Sequence, residues 1–136
     1  MRLRNIADGD PRIIFTGYVS RDEVHEIYSN AFLFSLPSDL EGMPAVILEA
    51  LSHGCPVLTS DIQESLDVIR HGEEQFGFVH RAGDVDDLTK QLRRLVENPC
   101  QVEKLKGPGR DFVNRNYSWD RAVEMTVDVY KHVLGV

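Results

Sequence analysis

A chain of 136 residues, 42% apolar and 27% charged, has the composition of one soluble globular domain and is long enough to bury a core. Its formal net charge of −7 stands against binding to a phosphate backbone, which needs clustered Lys and Arg. No apolar run reaches the roughly 20 residues of a bilayer span, and none follows Met1 as a leader would, so the expected setting is the cytoplasm, with no nucleic-acid partner and a membrane met at most peripherally.

Short β-rich apolar runs alternate with helical patterns, which predicts a parallel sheet flanked by helices. The first strand is read at 12–16 and stops at Gly17. A helix follows at about 21–30, with Val24, Ile27 and Tyr28 on one face. The second strand, 31–36, ends at Pro37-Ser38 and leads into the loop Asp39-Leu40-Glu41-Gly42-Met43. A helix opens at Pro44, where the missing N–H is tolerated, and runs to His53 with Gly54 as its stop. Next come a strand at 56–59, a short helix at about 64–69, a turn at His71-Gly72 and a strand at 76–79. A longer helix at about 85–97 ends at Asn98-Pro99, and the next, at about 101–115, is broken in pattern by Gly107-Pro108-Gly109. The last helix starts behind Ser118 as N-cap and repeats Trp119, Val123, Val127, Tyr130 and Leu134 at helical spacing, a packing stripe.

One of these helices carries chemistry. The run Pro44-Ala45-Val46-Ile47-Leu48-Glu49-Ala50-Leu51 is apolar on nearly every face except at Glu49, which predicts burial between layers. A carboxylate there must be paired or face a polar cleft. One alternative is a Glu that caps a backbone N–H or pairs with a buried Arg. The other follows from position: the helix starts at the carboxyl edge of the sheet, where open α/β sheets bind ligands. Its first N–H groups and its dipole favour an anion, so Ala45 and Val46 are expected to offer amides to a phosphate. Gly42 lets the backbone come close, and Glu41 and Glu49 frame a pocket for hydroxyl-rich groups.

The stretch from Ser38 through Asp39-Leu40-Glu41-Gly42-Met43-Pro44 and Glu49-Ala50-Leu51-Ser52-His53-Gly54 to Cys55-Pro56-Val57 resembles the E-x7-E segment of the family 4 retaining glycosyltransferases. Ile14-Phe15-Thr16-Gly17-Tyr18-Val19, Gly77-Phe78-Val79 and Tyr117-Ser118-Trp119 are similar to that family's preceding strand and turn, last strand and start of the final helix. The resemblance implies a Rossmann-like parallel sheet of about four strands flanked by helices, part of the C-terminal donor-binding half of a GT-B fold. It implies that Glu49 accepts hydrogen bonds from the donor ribose and that Glu41 contacts the donor sugar as the catalytic-site carboxylate. Gly42 and Met43 would present backbone to the sugar, Ala45 and Val46 would hold the diphosphate, and Val19 would lie against the base. The donor would be a UDP- or GDP-sugar, with no cofactor and no metal. Pro44 departs from the commoner glycine of this motif and removes an N–H.

The same resemblance leaves parts unaccounted for: the acceptor-binding N-terminal domain, the first two strands of the donor domain, and the Arg and Lys of its first loop, which Arg2 and Arg4 do not match. The single domain 1–136 is therefore expected to be incomplete. Either the 12–16 strand pairs with the 31–36 strand, or another copy covers the exposed sheet edge. The rival functional reading is a catalytically inactive remnant or an assembly partner that requires a separate N-terminal domain. Cys55 and Cys100 form no C-x-x-C pair and the five histidines show no ligand spacing, so neither redox nor metal chemistry is expected from them.

Overall fold

A computed structural model describes residues 2–135; Met1 and Val136 lie outside it. Its elements in chain order are α1 (Arg2–Ala7), α2 (Arg21–Asn30), β1 (Phe34–Leu36), α3 (Ala45–Ser52), β2 (Val57–Ser60) and α4 (Gln63–Ile69). They continue with β3 (Arg70–His71), β4 (Glu74–Gln75), β5 (Phe78–His80), α5 (Val85–Glu97), α6 (Pro99–Asn116) and α7 (Trp119–Leu134). Three strands form the main sheet in the order β1-β2-β5, all parallel, with Phe34 opposite Val57 and Leu58 opposite Phe78. β3 and β4 make a small antiparallel hairpin around Gly72.

Every residue of β2 is buried, as expected for a central parallel strand covered on both faces. One core sets Val57 against Ile47 and Leu51 of α3, Ile69 of α4 and Phe112 of α6. Phe76 stacks on Phe112 there, ring centroids 4.2 Å apart. The second core joins Leu58 to Leu95 of α5 and Val102 of α6. Local chemistry marks the helix starts. Ser20 and Glu23 form a reciprocal capping box on α2, Asp84 caps α5, and Ser118 accepts the Arg121 N–H at the head of α7, as its position predicts.

Several expectations need correction. The sheet has three strands where about four were expected. The missing one is 12–16, whose backbone has no ladder partner and whose Ile14 is 79% exposed. Strand-forming residues gain a strand only against a neighbouring edge, and 12–16 pairs with none of the described strands. The Gly107-Pro108-Gly109 signal does not break α6, which runs through it. A Cβ on Gly109 would stand 2.9 Å from Leu51 Cδ2, so the glycine permits close approach of α6 to α3. α3 is not buried all round: Ala45, Val46 and Glu49 are exposed, while Ile47, Ala50 and Leu51 are buried. The stripe on α7 is not packed into the core; no residue of α7 is buried, and Trp119, 87% exposed, only lines a groove with Met43 and Leu48. Among the described residues no helix is long and apolar enough to cross a membrane.

Candidate functional site

β1, β2 and β5 run parallel, so their carboxyl ends share one edge of the sheet. The loops leaving that edge are tied to one another. Thr59 Oγ1 donates to the Leu36 carbonyl at 3.3 Å, and the Ser60 hydroxyl donates to the Ser38 carbonyl. The Asp61 N–H donates to the His80 carbonyl at 2.9 Å, and Asp61 Oδ1 accepts the Ala82 N–H at 2.7 Å. Asp87 Oδ2 accepts the Arg81 N–H at 2.7 Å. That hydrogen bond holds the Asp87 carboxyl below the usual carboxylate range.

On this frame sits the segment that the sequence singles out. Glu41 is half-buried, and its Oε1 accepts the Ser38 hydroxyl at 2.6 Å. Gly42 is exposed, and a Cβ built there would meet nothing within 4 Å, so the backbone faces open space. Pro44 is the N-cap of α3 and supplies no N–H. The Ala45 N–H is not free as expected; it turns back to the Met43 carbonyl at 2.8 Å. The Val46 N–H has no acceptor among the described residues and is the amide left for an anion at the positive end of the α3 dipole. Glu49 stands exposed one turn further on. It lies near Tyr28 of α2, whose phenol is pushed up by burial and, next, by the Glu49 carboxylate.

Glu41, Gly42, Met43, Ala45, Val46 and Glu49 thus share one loop and one exposed helix face. Val19 lines a groove of about 660 Å³ with Thr16, Tyr18, Glu23 and Ile27, and none of the other expected site residues lines that groove. Sequence reasoning missed Ser60, Asp61 and His80. His80 is 4% exposed, with Nδ1 2.9 Å from the Arg81 carbonyl and Nε2 unpartnered. The signal available for all three was a polar residue at or just past the carboxyl end of an apolar strand. Among the described residues no three His, Cys, Asp or Glu side chains converge as metal ligands. Cys55 is buried, and burial pushes its thiol up.

Comparison with known proteins gives the fold and site a context. The family model described as glycosyl transferases group 1 matches residues 1–98. A sulfoquinovosyl transferase of Arabidopsis thaliana is 31% identical over 121 residues, which are 88% of this chain and 23% of the relative. An alpha-galactosylglucosyldiacylglycerol synthase of Streptococcus pneumoniae is 30% identical over 129 residues, 94% of this chain and 33% of the relative. The chain therefore spans a third or less of these relatives' length. Among solved structures, a sucrose-phosphate synthase of Thermosynechococcus elongatus superposes with a TM-score of 0.85 at 22% identity, over 98% of this chain and 34% of the other. An Anabaena protein solved with UDP and glucose gives 0.77 at 15% identity, over 99% and 35%. At such identities the structures establish the shared fold.

Proposed function

This chain belongs to the glycosyl transferases group 1 family, and on that premise we propose that it holds the nucleoside diphosphate sugar donor of a retaining glycosyltransferase whose acceptor-binding half is a separate domain. One observation carries the reading: Glu41 just before α3 and Glu49 within it bracket an exposed Ala45-Val46 start whose Val46 N–H is open. The diphosphate rests at that amide and draws on the helix dipole. The ribose hydroxyls donate to Glu49, Glu41 orients the donor sugar, and Gly42 and Met43 present backbone to it. In the transfer the anomeric C–O bond to the diphosphate breaks and the diphosphate leaves with the bonding electrons. The acceptor oxygen bonds to the same face of that carbon, and its proton passes to the departing diphosphate oxygen. Residues of this chain contribute positioning and stabilisation of the leaving charge. The donor class is UDP- or GDP-linked, the setting is cytoplasmic, and the reading assigns no cofactor or resident metal. The outer edge of β1, unpaired in the sheet, supports self-association as a partner reading.

A second reading, an assembly partner that cannot hold the donor alone, draws on the α3 mouth. With Pro44 lacking an N–H and the Ala45 amide engaged, Val46 is the one open amide of residues 44–46. Calorimetry with UDP and GDP separates the two. The chain should bind one of them, and Glu49→Ala should weaken that binding about tenfold or more, the worth of a hydrogen bond to a charged group. Unchanged affinity in the variant overturns the ribose assignment; no heat from either nucleotide favours the assembly partner.

A further inference from the structure

We infer that Ser38 and Ser60 are positioning residues that set the carboxylate of Glu41 through a two-step hydroxyl relay. The inference rests on the reading that Glu41 meets the donor sugar. The β1–β2 ladder ends at Leu36 opposite Thr59, so the chain beyond Pro37 is no longer held by sheet hydrogen bonds. Packing holds it only at the half-buried Ser38 and Glu41 and the buried Pro44, because Asp39, Gly42 and Met43 are exposed and Leu40 is 81% exposed. A loop of that kind, left to itself, samples many backbone states.

Two side-chain hydrogen bonds replace the missing restraints. Ser60 is fully buried at the carboxyl end of β2, and its hydroxyl donates to the Ser38 carbonyl across 22 positions of sequence. This fixes the backbone of Ser38 to the central strand. The Ser38 hydroxyl then donates to Glu41 Oε1 at 2.6 Å, a length typical of a donor meeting a charged carboxylate. A carboxylate has acceptor sites on both oxygens. Ser38 occupies Oε1, so Oε2 carries the acceptor capacity that remains in full for a sugar hydroxyl. The rigid strand thereby specifies the orientation of a carboxylate on a largely exposed loop, the arrangement expected where a binding group must be preorganised.

Two measurements on the whole chain test this. Without ligand, the side-chain carboxyl ¹³C resonance of Glu41 should move in Ser38→Ala and stay in Ser38→Thr, which keeps the hydroxyl. The Ser38 carbonyl ¹³C resonance should move in Ser60→Ala. Unmoved resonances overturn the relay whether or not any nucleotide binds. With ligand, calorimetry compares UDP with UDP-glucose, and GDP with GDP-mannose. Ser38→Ala should lose about tenfold on the sugar-bearing member of the pair the wild type binds and little on the bare nucleotide. In a Glu41→Ala background the same substitution should cost nothing further. Equal loss on both members means a structural serine and overturns the inference. Wild-type chain that binds UDP and GDP no better with sugar than without overturns the reading of Glu41 beneath it, while the resonances still decide the relay.

Discussion

Asp87 ties two neighbouring segments together: its side chain accepts the Arg81 N–H from the loop after β5, and its own N–H donates to the cap Asp84 at 2.9 Å. The Arg81 hydrogen bond, helped by Gln91 and the charges of Arg81 and Lys90 and opposed by burial, lowers its carboxyl below the ordinary value of about 4. A carboxyl with a depressed folded value stabilises the fold in full above its unfolded value and loses that contribution as pH falls through the folded one. Melting temperature followed from pH 7 downward should therefore drop more steeply below about pH 4 in the wild type than in Asp87→Asn; parallel curves would remove Asp87 from the acid limb. Clamps of this kind also explain what the sequence revealed of the site. Glu41, Gly42, Val46 and Glu49 were legible because they sit within nine consecutive residues on one loop and helix. Ser60, Asp61 and His80 were not, because Ser60 reaches that loop, and Asp61 reaches His80, only across strands that the folded sheet brings together.

α6 illustrates how a tertiary contact overrides a local signal. Gly107-Pro108-Gly109 reads as a break, yet the helix continues because Gly109 lets it press against Leu51 of α3. An alanine at 109 would gain about 1 kcal/mol of helix propensity and incur about 1–3 kcal/mol of overpacking. Leu51 is buried and cannot swing out of the way. Gly107 meets nothing within 4 Å, so its alanine gains the same propensity against the steric restriction that a following proline imposes. Urea unfolding should show Gly109→Ala destabilised, by up to about 2 kcal/mol, and Gly107→Ala within about 0.5 kcal/mol of wild type. Equal effects would show that the α3–α6 approach does not depend on the missing side chain. The same logic runs in reverse at 12–16. Its Ile-Ile-Phe run has strand composition, but composition does not provide an edge to pair with, and the segment remains outside the sheet. α5, whose bounds the pattern gave correctly, has both a capping Asp84 and an amphipathic face that packs Leu95 on the core.

Across the whole molecule, stability is distributed unevenly, and the distribution follows burial. β2 is buried at every residue, α3 and α6 bury Leu51, Val102 and Phe112 around it, and these elements should open only with global unfolding. α7 has sixteen residues, a good N-cap at Ser118 and a left-handed C-cap at Gly135, but buries none of its side chains. An isolated helix of that length is marginal in water even for favourable sequences, so caps without packing cannot protect it. α1 is shorter still, with Leu3 and Ile6 exposed. Native-state hydrogen exchange should therefore place the amides of α7 and α1 on the order of a hundredfold or more below those of β2 and α3. Its apolar residues, Trp119, Val123, Val127, Tyr130 and Leu134, were legible as a packing stripe because periodicity reports that a face is apolar; it does not report what the face meets. Protection of α7 equal to that of the core would mean that this face is covered in solution, and that its exposure of Trp119 and Leu134 describes the chain only in isolation from that cover.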